Sequence, residues 1–403
     1  MQKKLILPIA IFLFLIIGTV LVVLYGKGYR LDFDFDKPKL QGTGLLVATS
    51  QPDGAQVFLN GHLTTATNNT INLPPDTYNI KIAKVGYFPW EKTIKIKKEV
   101  VSAAQALLFV TTPKLESITE IGVADPVIDP SGTRLAYTVA SQSARKNGVY
   151  ILDMTSRPIL TLQSASTQIA SEAIDRFSDA KLTWSPDGQE LFARIPFAQN
   201  PESPTTYLLK SNGFNENPQD VTETIESILL VWNQERENKE KSRIDGLSKK
   251  VKKLIAENFK VLSWSIDETK ILYTASSSAK LPLIINPALI GTDATPQERS
   301  LKKDSLYVYD IKEDKNFKID IVSQPTDQGS ESLRWFPDSR HLLFVDNGKI
   351  SIMEYDGSNN TVIFAGPFMD SYAFPWPDGS KIVILTNLGN TNIAPNLYTI
   401  GLK

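Results

Sequence analysis

Cysteine is absent from all 403 residues, and only two histidines occur, His62 and His341. Without thiols the chain has no disulfide framework, no thiolate nucleophile and no cysteine-ligated metal. With two histidines, most imidazole-dependent chemistry is short of parts as well. His62 follows Gly61 on a hairpin, and His341 follows the Ser339-Arg340 turn. Neither is read as having a carboxylate partner for a dyad, and both read as surface residues. A surplus of either charge is also missing, since 43 Lys and Arg meet 44 Asp and Glu, for a formal net charge of −1. A binder of phosphate backbones needs a basic excess, so nucleic acid is not an expected partner.

The motifs that carry common chemistry are missing too. There is no Gly-x-Ser-x-Gly elbow, no Gly-rich phosphate loop and no His-Glu-x-x-His pair. The stretch "DIKEDKNFKID" from Asp310 faintly resembles a calcium loop but lacks its central Gly and its spacing. No catalytic, cofactor-binding or metal-ligating residue is assigned, no cofactor is expected, and the chain is read as non-enzymatic.

What is present begins with one long apolar run. Leu5–Tyr25 carries no charge, and as a helix it spans roughly 31 Å, the depth of a bilayer core. A cleaved signal peptide would have a shorter apolar run and a small-x-small site, and "LYGKGYR" offers none. The expectation is an uncleaved single-pass anchor at 5–25, with residues 1–4 as a cytoplasmic tail and everything after it extracytoplasmic. Lys3 and Lys4 stand against Lys27 and Arg30, so charge contributes little to that orientation. Residues 26–42, polar and marked by Gly and Pro, read as a stalk.

From residue 43 the pattern is β. Leu46, Ala48 and Ser50 alternate with Leu45, Val47 and Thr49; Val57 and Leu59 recur at period two before Asn60-Gly61, a hairpin signal. Tyr78, Ile80 and Ile82, then Ile94 and Ile96, repeat the alternation, as in a half-buried antiparallel sheet. These residues resemble a PEGA domain over residues 43–110. The likeness rests on Pro52, Asp53, Gly54 and Ala55, on Pro74 and Pro75 before Tyr78, and on Gly86-Tyr87. Asp76 stands where that family usually has Gly, and "TTATNN" replaces a Gly-x-Thr-Pro; both are departures in loops, and the β-sandwich pattern is kept. The resemblance implies an extracytoplasmic, non-catalytic module for protein or envelope polysaccharide.

The rest of the chain repeats itself. "VIDPSGTRLAYT", "LTWSPDGQELFARI", "LSWSIDETKILYTA", "LRWFPDSRHLLFVD" and "AFPWPDGSKIVILT" begin at Val127, Leu182, Leu262, Leu333 and Ala373. Each couples an apolar strand to a tight turn and a second strand, and a third strand follows. In the turn Pro fixes φ and Gly or Ser eases the corner. One such sheet cannot bury its own faces; a ring of them can, which predicts a β-propeller with the Trp packed between neighbouring blades.

The motif residues are Trp184, Pro186, Asp187 and Gly188; Trp264 and Asp267; Trp335, Pro337 and Asp338; and Pro377, Asp378 and Gly379. They resemble blades of TolB-like propellers, in the broad WD-related group, over residues 115–403. Ile266 replaces the Pro, Ser339 the Gly and Ile128 the first Trp, while the last Trp is displaced to Trp376. The turns are spaced by 56, 80, 71 and 40 residues, so insertions separate about five blades, with six possible. Lys114–Gly122 is placed to supply the missing outer strand and lock the ring. The turn aspartates are read as holding turns.

One insertion, 220–259, breaks the β pattern. Val221, Ile225, Ile228, Leu229 and Trp232, then Leu247, Val251, Leu254 and Ile255, predict a helical hairpin. Asp220 and Glu223 are its expected capping box and Glu235–Arg243 its bend. Its stripes pad the propeller or form a lid or docking arm. The fold class expected is therefore all-β: an N-terminal transmembrane helix, a small PEGA-like sandwich, and a propeller with a helical insertion. The function expected is a membrane-anchored scaffold that binds protein or envelope polysaccharide. The alternatives are a polymer-acting hydrolase or lyase with carboxylates in the propeller channel, and a purely structural envelope spacer.

Overall fold

The computed structural model describes residues 3–26, 29–32, 39–155, 166–197, 200–321, 333–369 and 372–403. The chain forms two units, Met1–Thr111 with Ile285–Gln297, and Thr112–Ile284 with Glu298–Lys403.

In the first unit, helix α1 spans Lys3–Gly26. Its side chains are described continuously over residues 8–23, about 24 Å of helix, against the roughly 30 Å of a bilayer core. Among the described residues no helix is long and apolar enough to cross a membrane. Within the segment read as a stalk, Tyr29–Asp32 pairs antiparallel with Lys39–Gly42. Residues 1–2 of the expected tail, and 27–28 and 33–38 of the stalk, lie outside the described residues.

The sandwich follows. One sheet orders Asn69–Leu73, Gly44–Gln51 and Val101–Leu107; the other orders His62–Ala66, Gln56–Leu59, Thr77–Ala83 and Trp90–Lys95. The alternation read from the sequence is the burial pattern: Leu46, Ala48, Val57, Ile80 and Ile82 are fully buried in one shared core. Asn60 takes a left-handed φ of 48° in the two-residue hairpin.

The second unit holds five four-stranded antiparallel sheets. Blade 1 comprises Ala124–Ile128, Arg134–Val139, Gly148–Asp153 and Ser166–Ser171; blade 2, Lys181–Trp184, Glu190–Phe197, Asn200–Lys210 and Gln219–Asp220. Blade 3 comprises Phe259–Trp264, Lys270–Ala275, Leu306–Asp310 and Lys315–Lys318; blade 4, Leu333–Trp335, His341–Asp346, Lys349–Glu354 and Thr361–Ala365. Blade 5 is built from both ends of the unit. Ala373–Pro375, Lys381–Thr386 and Asn396–Gly401 are joined by Leu115–Ser117, with Leu115 opposite Ile400. The strand from the 114–122 segment thus closes the ring with backbone hydrogen bonds.

Apolar clusters lie between sheets. One joins Ala136, Val149 and Ile151 of blade 1 to Leu182, Trp184 and Leu191 of blade 2. Others join blades 3 and 4 through Leu272, Val308, Trp335 and Leu342, and blades 5 and 1 through Phe374, Val383, Leu135 and Tyr137. Between blades 4 and 5, Arg334 stacks 4.8 Å above the Phe374 ring.

Blades 2 and 3 are joined differently. Helix α2, Ile225–Asp245, lays Trp232 on Phe192 of blade 2 with ring centroids 4.1 Å apart. The same helix offers Glu240 to the Trp264 indole of blade 3, at 2.8 and 2.9 Å. Helix α3, Lys249–Asn258, buries Val251, Leu254 and Ile255 against blade 3. The insertion is therefore a wedge between two blades, and both apolar stripes read from the sequence are packed.

Its punctuation differs from expectation. Asp220 lies in the outer strand of blade 2 and accepts from Thr222, while α2 begins after Thr224, which makes no side-chain cap. The stretch 235–243 is helical, because Glu, Lys and Arg are good helix formers. The chain turns at Gly246–Ser248, where the Ser248 hydroxyl accepts from the Val251 N–H at the start of α3.

Candidate functional site

Each inner strand ends in a turn held by its own aspartate. Asp187 accepts from the Ser185 hydroxyl at 2.6 Å and the Gln189 N–H at 2.9 Å. Asp267 accepts from Ser265 at 2.7 Å and Thr269 N–H at 3.2 Å, and Asp378 from Ser380 N–H at 2.8 Å. In blade 1 the role falls to Asp129, two places earlier in the motif, which accepts from the N–H groups of Thr133 and Arg134 at 2.7 and 2.9 Å. Sequence reading passed over Asp129, although the "DPSG" turn of the first copy carries it.

These bonds favour the ionised acids. Asp187 lies below the usual carboxylate range because of Ser185 and Gln189. Burial alone would raise Asp267 and Asp338, but their hydrogen bonds outweigh it and both are lowered. Asp310, also buried, is raised despite Lys270 at 3.8 Å.

His341 corrects the surface reading. It is 5% exposed, and its Nδ1 lies 2.6 Å from Asp338 Oδ2. The turn folds the chain back so that a carboxylate three residues earlier meets the ring. His62 is exposed.

The turns also grip one another. Arg134 of blade 1 donates to the Gly188 carbonyl at 2.6 Å and the Ser211 hydroxyl at 3.1 Å, with its guanidinium 5.1 Å from the Trp184 ring centroid. Gly188 has φ +71°, so the backbone favours glycine, and a Cβ there would press on the end of the Arg134 side chain at 2.9 Å. Trp184 donates its indole N–H to the Val127 carbonyl of blade 1 at 3.1 Å. Ser339 of blade 4 accepts from the Asp267 N–H of blade 3 at 3.0 Å, and Gly379 of blade 5 abuts Phe336 of blade 4. At the wedge, Glu268 of blade 3 meets Arg243 of α2 at 2.7 Å instead of a blade.

The turns frame a cavity of about 530 Å³. Its walls come from the inner-strand ends of blades 1, 3, 4 and 5, including Pro130, Ile266, Pro337, Pro375 and Pro377. Pro130, Pro337 and Pro377 therefore set their turns and also form the cavity rim. Arg334 and Trp335 line it, and the buried Trp335 indole N–H has no hydrogen-bond partner among the described residues. Trp184, at the same place in blade 2, bonds a blade 1 carbonyl. Asp129 is the one acidic residue in the lining, and it is committed to its turn. Among the described residues no group of three His, Asp or Glu could hold a metal ion.

The PEGA-like residues serve the sandwich. Ala55 is fully buried, and its N–H donates to Thr67 at 3.1 Å. The Asp53 carbonyl accepts from Lys84, and Pro52 and Gly54 complete that turn. Tyr78 donates to the Pro74 carbonyl at 3.2 Å beside Pro75. Gly86 accepts from Thr111 N–H at 2.9 Å, and Tyr87 bridges to Val110.

Residues 43–108 match the PEGA domain family, so the first unit carries a PEGA domain. Among solved structures the chain is similar to a putative TolB from Agrobacterium tumefaciens, at 16% identity and TM-score 0.21, over 70% of this chain and 73% of that one. It is similar to TolB from Acinetobacter baumannii at 11% identity and TM-score 0.25, over 87% of this chain and 64% of that one. A eukaryotic initiation factor matches at 9% identity and TM-score 0.18, over 80% and 62%. At such TM-scores these likenesses carry no argument, and the propeller rests on its own sheet topology. No curated protein matches the sequence.

Proposed function

We propose that this protein is a membrane-anchored, extracytoplasmic and non-catalytic scaffold whose propeller binds a protein partner at the rim of the turn-lined cavity. The observation that carries the reading is that cavity. It is about 530 Å³, walled by four blades, apolar except for a few groups, and it holds the buried Trp335 N–H donor, which has no acceptor among the described residues. Pockets of this kind, apolar with a few polar groups, suit recognition. Its single, committed carboxylate gives no support to acid–base cleavage of a polymer, which needs a pair.

The anchor in this reading is α1. Its 24 residues measure about 36 Å, and Phe12, Phe14 and Val22 are 65, 75 and 71% exposed, as lipid-facing side chains would be. The PEGA domain supports the extracytoplasmic side.

The test is photocrosslinking in intact membranes, with the label at Pro337 on the rim or at Lys210 on an outer part of blade 2. The expected result is a protein adduct from Pro337, lost in Arg334→Ala, and none from Lys210. Equal labelling from both positions would sink the rim as the binding surface.

A further inference from the structure

The sequence between the second and third strands of blade 3 contains Ile285–Gln297, which belongs to the first unit. Its sequence, "INPALIGTDATPQ", reads only as a loop. Lys92 explains why it is there. In the strand Trp90–Lys95, residues 90 and 94 face the core, and Lys92 shares their register, opposite the fully buried Ile80. A charge pointing inward on an edge strand is costly unless it is paired.

Asp293 supplies a carboxylate. Its two oxygens lie 3.1 and 3.2 Å from the Lys92 ammonium, and the two side chains are 8% and 10% exposed. Asp293 Oδ1 also accepts from the Thr295 N–H at 2.8 Å, which fixes the local bend. Ala294 packs on the sandwich core. Gly291 runs so close to Val101–Leu107, the edge strand of the other sheet, that a Cβ would sit 2.9 Å from the Val101 carbonyl. Leu289 and Ile290 do not hold the segment, since they are 47% and 71% exposed.

We propose that the sandwich edge around Lys92 is a binding site for a short peptide segment carrying one carboxylate among small residues, and that Ile285–Gln297 occupies it in cis. The site is self-masked: a competing peptide enters only when the strap leaves. A charged anchor flanked by small residues gives such a strap specificity without a large apolar interface, which suits exchange. This reading stands apart from the propeller's rim.

The test uses the full chain with Ile285–Gln297 replaced by a Gly/Ser linker of equal length, and a fluorescent peptide of sequence 285–297 as the probe. The linker variant is expected to bind the probe at least about tenfold more tightly than the unaltered chain does. Lys92→Met in the linker variant, or Asp293→Asn in the probe, is expected to weaken binding by at least about tenfold. Equal binding by masked and unmasked chains, binding indifferent to Lys92→Met, or a folded linker variant that ignores the probe would each overturn the proposal.

Should the linker variant not fold, hydrogen exchange on Lys92→Met in the otherwise unaltered chain decides. Amides of 285–297 are expected to lose protection at least about tenfold while blades 1 and 5 keep theirs. Unchanged protection in the strap would refute it.

Discussion

The sandwich and the propeller are both antiparallel β in the main, yet they bury their strands in different ways. Each sandwich sheet has one covered face, so Gly44–Gln51 alternates buried and half-buried residues over one shared core. Each blade is covered on both faces, so Arg134–Val139, Leu306–Asp310 and Lys381–Thr386 are buried almost continuously. The propeller's core is accordingly divided into clusters between neighbours, and its cohesion is a chain of junctions. Four of the five are direct; the one between blades 2 and 3 is mediated by α2.

That contrast can be broken by mutation. The largest effects belong to Ile80→Ala in the sandwich, expected to cost about 2–5 kcal/mol, and Trp184→Ala between blades 1 and 2, about 3–5 kcal/mol. Hydrogen exchange should show the first loosening the sandwich strands and the second loosening blades 1 and 2. If either change loosens the whole chain, the division into separately cored units is wrong. Gly188→Val comes next. Forcing a β-branched residue to φ +71° against Arg134 should cost about 1–3 kcal/mol, and Arg134→Ala in the same chain should recover part of the loss. The measurement is the shift of the urea midpoint for each variant.

Glu240→Ala sharpens the contrast between junctions. It strands the Trp264 indole N–H and should cost about 1 kcal/mol, read as faster proteolysis in α2. An equal loss at the blade 1–2 junction would argue against a local wedge.

The smallest effect is that of pH. Asp187, Asp220, Asp267 and Asp338 lie below the usual value of 3.8, so each stabilises the propeller above that pH. Their contributions are lost as pH falls through the lowered values. Asp310 is raised and works the other way, its contribution being present at low pH and lost as pH rises. With four against one, the propeller's melting temperature should fall below about pH 4. Intrinsic fluorescence can follow this, since Trp184, Trp232, Trp264, Trp335 and Trp376 lie in the propeller and only Trp90 in the sandwich. Asp338→Asn should flatten the acid limb.

Much of the fold was legible because burial and turn chemistry act locally. Three strands per blade carried apolar runs and Pro-Asp-Gly turns. The fourth strands of blades 2 and 5 did not: Gln219–Asp220 has two residues and Leu115–Ser117 has three, all exposed, so no pattern betrays them. The closing strand could be read only because the last blade lacked one. The helical faces were legible by period, but the bend was not, since a highly charged stretch continues a helix as readily as it ends one. The cavity was the least legible part. Its prolines were visible as turn residues, while Leu262, Arg334 and the Trp335 N–H meet there through closure of the ring.

By itself the sequence determined the PEGA domain, the repeat, the turn aspartates and the apolar stripes, because period-two burial, restricted φ and short-range hydrogen bonds operate within a few residues. Only tertiary structure decided which partners those elements have. The α2 wedge, the His341–Asp338 pair and the Lys92–Asp293 clasp each depend on how the chain folds back on itself, over three residues in the one case and about two hundred in another. Such contacts are chosen by desolvation and close packing in the folded chain, where an inward-facing charge must find its counterpart wherever the sequence happens to keep it.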